Sequence, residues 1–226
     1  MHAMPNAGNV GATEDVVYLF DVDNTLLDND RVQDDLREEL ARRFGAAARA
    51  RYWEILEGLR EELGYVDYLG ALERYRLERL HDPRVLRLSS WLVDYPFAER
   101  LYPGALQVVG RARERARAVI LSDGDAVFQP RKVERSGLWD AVRGQVLIYV
   151  HKEQMLADVE RLFPARRYVM VDDKLRILAA MKAAWGSRLT TVFVRQGHYA
   201  ADGAALAAYP PADASVGRIA EFLTAI

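Results

Sequence analysis

The segment Asp21-Val22-Asp23-Asn24-Thr25 sets two carboxylates two residues apart, directly after the apolar run Val16-Val17-Tyr18-Leu19-Phe20. Ser122-Asp123-Gly124-Asp125 follows a second such run, Ala118-Val119-Ile120-Leu121, and Asp172-Asp173 follows a third, Tyr168-Val169-Met170-Val171. A single aspartate after a strand is usually a turn former or a helix cap. Three acidic segments ending three apolar runs would converge if those runs are neighbouring strands. Like charges at close range are costly unless a cation or a lysine lies among them. Carboxylate oxygens are hard ligands, so the pattern points to a divalent cation, Mg²⁺.

Those acids need a sheet to bring them together. The three apolar runs, with Val146–Val150 and Thr190–Val194, are short and rich in β-formers, as fits strands buried on both faces. Between them, Pro103–Arg117, Glu153–Phe163 and Lys174–Trp185 carry apolar residues at helical spacing. Strands alternating with helices predict right-handed βαβ units and a parallel, Rossmann-like α/β sheet. In such sheets ligands bind beyond the carboxyl ends of the strands, where these acids fall. Residues 29–100 break the alternation. They hold no convincing strand, and Val32-Leu36-Leu40 and Leu69-Leu72-Tyr75-Leu80 have helical spacing. The expected organisation is a flexible tail over 1–14, an α/β core over 15–28 and 101–226, and a helical insertion over 29–100.

The 226 residues are 50% apolar and 28% charged, an ordinary globular composition. With 31 basic and 33 acidic residues the formal charge is -2, which gives no whole-chain case for nucleic acid or an anionic membrane. The absence of cysteine removes disulfides, thiolate metal sites and cysteine nucleophiles. It fits a reducing, cytoplasmic setting. No leader is read at the N-terminus and no apolar run reaches the roughly 20 residues of a membrane span. The sequence leaves the oligomeric state open.

Asp21-Val22-Asp23-Asn24-Thr25 resembles the DxDxT signature of the haloacid dehalogenase-like hydrolase superfamily, and Ser122, Lys152 and Asp172-Asp173 resemble its later motifs. The resemblance implies a helical cap over 29–100, with Asp21 as nucleophile and Asp23 as acid and base. It implies Ser122, Thr25, Asp123 and Lys152 around a phosphoryl group, and Asp21, Asp23, Asp172 and Asp173 around Mg²⁺. Asp172 and Asp173 both remain candidates for the direct ligand of the fourth motif. The activity it implies is a Mg²⁺-dependent phosphatase that acts on a small phosphorylated metabolite through an aspartyl-phosphate. Alternatives of the same fold are a 2-haloacid dehalogenase, a phosphomutase, and a non-catalytic binding or regulatory protein. Asp23 argues against the dehalogenase, which has no need of a proton shuttle there.

The chain has four lysines, Lys132, Lys152, Lys174 and Lys182. Lys152, just past the strand expected over Val146–Val150, ranks first as the neutralising lysine. Lys132 ranks second, because Gln129-Pro130-Arg131-Lys132-Val133-Glu134 reads as a solvated helix face. His81, His151 and His198 share no ligand spacing, and His151 is read as incidental. Tyr65, Tyr68, Tyr75 and Arg76 are candidates for a substrate entrance.

Overall fold

The computed structural model describes residues 14–224. The tail expected over 1–14 lies outside them, except for Glu14, which opens the first strand. Strand β1 (Glu14–Phe20) is followed by four helices, α1 (Asn29–Phe44), α2 (Ala46–Leu63), α3 (Tyr68–Leu77) and α4 (Pro83–Val93). Then come α5 (Ala105–Arg115), β2 (Arg117–Asp123), α6 (Phe128–Arg135), α7 (Leu138–Ala141) and β3 (Val146–Tyr149). The chain continues with α8 (Leu156–Leu162), β4 (Ala165–Asp172), α9 (Leu175–Trp185) and β5 (Leu189–Val194), and then α10 (Gly203–Ala207) and β6 (Ala214–Val216).

The six strands form one sheet in the order β3-β2-β1-β4-β5-β6, every pair parallel. The alternating side chains of each strand serve two faces. Val17, Leu19, Val119, Leu121 and Met170 pack on the α8–α9 side, where Tyr168 stacks on Trp185 at 4.3 Å. Phe20, Ala118, Ile120 and Val171 pack on the side of α5 and α6. The strand order reverses direction between β1 and β4, the crevice where open α/β sheets bind ligands. No described helix is long and apolar enough to cross a membrane.

The helical block shares the second of these apolar clusters. Val32, Leu36, Tyr52, Leu56, Tyr75 and Leu88 are buried within it, and Phe97 joins them to Phe128 of α6 at 5.5 Å. Three of its four helices begin on carboxylate caps, and α2 follows Gly45 without one. Asp28 accepts from Arg31 N, Asp67 from Gly70 N, and Asp82 from Arg84 N, with Pro83 in the first turn of α4. The chain enters and leaves the block through paired segments. Tyr102 N donates to Leu26 O (2.9 Å), Asp28 N donates to Arg100 O (2.8 Å), and Leu27 bridges Leu101.

Two helices are shorter than the spacing predicts. The helix expected from Pro103 starts at Ala105, because Gly104 takes the left-handed conformation as its cap. The helix expected from Glu153 starts at Leu156, because Lys152–Gln154 form a separate 3₁₀ turn. That turn carries the Lys152 N–H to Asp123 Oδ1 (2.7 Å).

Candidate active site

Asp21 is the first residue past β1, and its N–H donates to Val171 O (3.0 Å). Phe20 is in register with Ile120 on one side and Val171 on the other, so Asp21 lies between the ends of β2 and β4. Its carboxylate meets Ser122 and Asp172 there. Lys152 Nζ donates to Asp21 Oδ1 (2.5 Å), lies 2.7 Å from Asp172 Oδ2, and reaches Leu121 O (3.3 Å). The contact with Asp172 Oδ2 is a close ion pair without a well-directed hydrogen bond. Burial opposes the charge on Lys152, yet the carboxylates of Asp172, Asp21 and Asp123 outweigh it and push the pKa up. Burial pushes Asp172 up, with Lys152 pulling the other way.

Asp173 is 1% exposed, and neither of its carboxylate oxygens has a hydrogen-bond partner. Burial holds its pKa well above the usual carboxylate value. Asp21 Oδ2 is likewise without a partner. Buried charged oxygens left unpaired are expensive. Asp21, Asp172 and Asp173 each offer an oxygen within 4.8 Å of the others. An all-oxygen set with orphaned atoms suits a hard divalent cation. Of the two acids left open by the sequence, Asp172 is engaged by Lys152 and by Lys174 N (2.8 Å), whereas Asp173 is unengaged.

Asp23 occupies the other side of the turn. Lys132 Nζ donates to Asp23 Oδ1 (2.6 Å) and to Asn29 Oδ1 (3.0 Å). The expectation of a solvated Lys132 is therefore corrected: the residue is fully buried, because α6 turns Phe128, Gln129, Lys132 and Val133 inward as one face. Gln129, which sequence reasoning missed, donates to Ser122 Oγ (2.9 Å) and approaches Asp23 Oδ2 (3.4 Å). This approach needs Gly124, since a Cβ there would sit 2.6 Å from Gln129 Cβ. Ser122 Oγ lies 3.5 Å from Asp21 Oδ1. Asn24, at φ 58, accepts from the N–H groups of Asn29 and Asp30 and so ties the motif turn to the start of α1.

A cavity of about 620 Å³ opens over this layer. Asp23, Asp123 and Asp173 line its floor, while Asp21, Ser122, Lys152 and Asp172 lie just beneath. Asp123 is raised mainly by burial, with Lys152 opposing. Gln33, Arg60, Tyr65 and Tyr68 come down from the helical block. Tyr75 is buried within that block and Arg76 pairs with Glu73 on its surface, so neither borders the cavity. Thr25 is fully buried below the turn, off the cavity, where its carbonyl accepts from Gln196 Nε2 (3.2 Å). Its hydroxyl is buried there without a hydrogen-bond partner. His151, read as incidental, lines the cavity, as do His198 and Tyr199 of the loop after β5. No motif marks that loop in the sequence. Gly197 lets it close on the motif turn, since a Cβ there would fall 2.5 Å from Asn24 Cγ.

A family model for haloacid dehalogenase-like hydrolases matches residues 17–184. A solved structure from Burkholderia xenovorans, described as a haloacid dehalogenase-like hydrolase, is 64% identical, with TM-score 0.88 over 92% of this chain and 97% of that one. The chain belongs to the haloacid dehalogenase-like hydrolases. Two more distant members share the fold. A family hydrolase from Xanthomonas campestris is 19% identical (TM-score 0.67, 93% of this chain and 90% of that one). The L-2-haloacid dehalogenase of Xanthobacter autotrophicus is 18% identical (TM-score 0.59, 92% and 96%). A comparison with curated proteins gave no match. In this haloacid dehalogenase-like hydrolase the signature acids fall into two groups. Asp21 belongs with Lys152, Asp172 and Asp173, and Asp23 belongs with Lys132, Gln129 and Asn29.

Proposed function

We propose that the protein is a Mg²⁺-dependent phosphatase of small phosphorylated metabolites, acting in the cytoplasm through an aspartyl-phosphate. The observation that carries the reading is Asp23. A second carboxylate borders the cavity beside the buried Asp21 and is held there by Lys132. A halide leaves as a stable anion and gains little from an acid, whereas an alkoxide leaves poorly unless it is protonated. Asp21 attacks phosphorus, forming the Asp21–phosphoryl bond as the ester P–O bond breaks. The departing oxygen takes its proton from Asp23. Asp23 then takes a proton from the water that attacks the phosphoryl group, which frees inorganic phosphate and restores Asp21. Ser122, oriented by Gln129, and Lys152 hold the phosphoryl oxygens. Asp21, Asp172 and Asp173 would hold the cation, which supplies positive charge opposite a dianionic ester.

Asp23→Asn tests the role directly. The variant should lose roughly 10²–10⁴-fold on an alkyl phosphate and much less on nitrophenyl phosphate, whose leaving group needs little protonation. Equal losses on both esters would remove Asp23 as the acid. Chloride release from 2-chloropropionate by the wild type, with no phosphate ester turned over, would assign a dehalogenase instead.

A further inference from the structure

The basic side chains at and beneath the cavity divide into paired and unpaired. Lys152 is matched by Asp21 and Asp172, Lys132 by Asp23, Arg176 by Glu153 (2.8 Å), and His198 by Asp30 (2.6 Å). Lys174 and Arg60 stand apart. Lys174 borders the cavity, and among the described residues no carboxylate lies at ion-pair distance from its ammonium, which sits over the Tyr199 ring at 5.2 Å. Arg60 reaches across from α2 to the same tyrosine, donating to its hydroxyl (2.9 Å), with only a long 3.5 Å contact to Glu57 of its own helix. Two cations from opposite walls thus flank one ring.

A third polar group borders the same cavity. Tyr68, the first residue of α3, is 3% exposed and borders the cavity, yet its hydroxyl has no hydrogen-bond partner. Gln33, beside Arg60 in the cavity lining, engages Arg37 only through its carbonyl oxygen at 3.4 Å. Two like charges on either side of one ring, with no carboxylate at ion-pair distance from the lysine, favour an anion between them.

Resting on the phosphatase reading, we infer that Arg60 and Lys174 form a second anion subsite on either side of Tyr199, so that the substrate is a phosphate monoester whose alcohol part carries a further anionic group. The floor takes the phosphoryl end and the roof takes the second anion. A hydrogen bond from a charged donor is worth about 1.5–3 kcal/mol, or roughly 10- to 150-fold in affinity. A cavity of about 620 Å³ has room for a small two-ended molecule of this kind.

Binding without turnover separates this inference from the reaction itself. ω-Phosphonocarboxylates of two to five carbons are titrated calorimetrically against alkylphosphonates of equal length. The same is done with α,ω-bisphosphonates, using wild type, Arg60→Gln and Lys174→Gln. At the best length the wild type should prefer a two-ended ligand at least 10-fold, and each variant should lose most of that preference. The larger gain, from the carboxylate or the bisphosphonate series, identifies the second anion. Equal binding of one- and two-ended ligands at every length, or no binding of either, overturns the subsite. A preference that survives both substitutions overturns the assignment to these residues. Thermal melts of the variants establish that they fold. If two-ended ligands bind preferentially while no phosphate ester is turned over, the subsite stands and the phosphatase reading fails.

Discussion

Replacing Asp173 by asparagine should make the metal-free protein more stable. Asp173 is 1% exposed and both its carboxylate oxygens lack partners, so the folded state carries a desolvated charge that the unfolded chain would hydrate. Leaving a buried polar group unsatisfied costs about 1–3 kcal/mol, and more when it is charged. Asparagine fills nearly the same volume without the charge, so a gain of about 1–3 kcal/mol is expected, or about 2–12 °C in Tm for a chain of this length. The pH dependence fixes the sign. Burial raises the folded pKa above the ordinary 3.8, so between that value and the raised one the folded state binds more protons than the unfolded state. Stability from this group therefore falls as pH rises through that window. The advantage of the variant should be largest at neutral pH and shrink on acidification. The assay is scanning calorimetry in EDTA at several pH values, then with Mg²⁺. The cation should raise the wild-type Tm, by about 2.7 kcal/mol of stability at a hundredfold excess over Kd, and leave the variant nearly unmoved. A variant that melts at or below the wild type in EDTA at neutral pH would refute the argument that Asp173 is an unpaired buried charge.

Asp21→Asn should abolish release of phosphate from any ester while the circular dichroism melt stays at or above that of wild type, and turnover near the wild-type rate would remove Asp21 as nucleophile. Exhaustive chelation should stop turnover and Mg²⁺ should restore it; activity that persists in the chelated protein would sink the metal requirement. Lys132→Met leaves Asp23 and Asn29 without their buried donor, so it should cost about 2–3 kcal/mol in denaturant unfolding. The same variant should slow alkyl phosphates more than nitrophenyl phosphate, and an equal effect on both would separate Lys132 from the work of Asp23.

The sheet and its acids were legible because the signals are local. An apolar run ending on Asp21 states both a buried strand and a carboxylate at its carboxyl end, and the same holds for Ser122 and Asp172. Lys132 was misread because its sequence neighbours Arg131 and Glu134 are on the surface, where they pair with each other. The usable signal was the inward face of Phe128, Gln129, Lys132 and Val133, which only the helical wheel reveals. Tyr199 and His198 gave no signal, since a loop that follows an edge-side strand acquires its role from what folds over it. β6 spans only three residues, Ala214–Val216, too few for alternation to show. Asp172 is ion-paired with Lys152 while Asp173 has no hydrogen-bond partner, a difference of three-dimensional distance that spacing does not encode.

The paired segments at the root of the helical block bear on how this chain folds. Leu26, Leu27 and Asp28 on the way in are zipped to Arg100, Leu101 and Tyr102 on the way out. About 70 residues therefore begin and end at nearly one point, and the sheet meets the insertion as it would a short hairpin. The entropy of closing the long loop is met within the block, whose four helices pack on one another. With the ends of the insertion held together by its own folded block, β1 and β2 register at little further cost, which sets Asp21 and Ser122 side by side beneath the roof of the cavity.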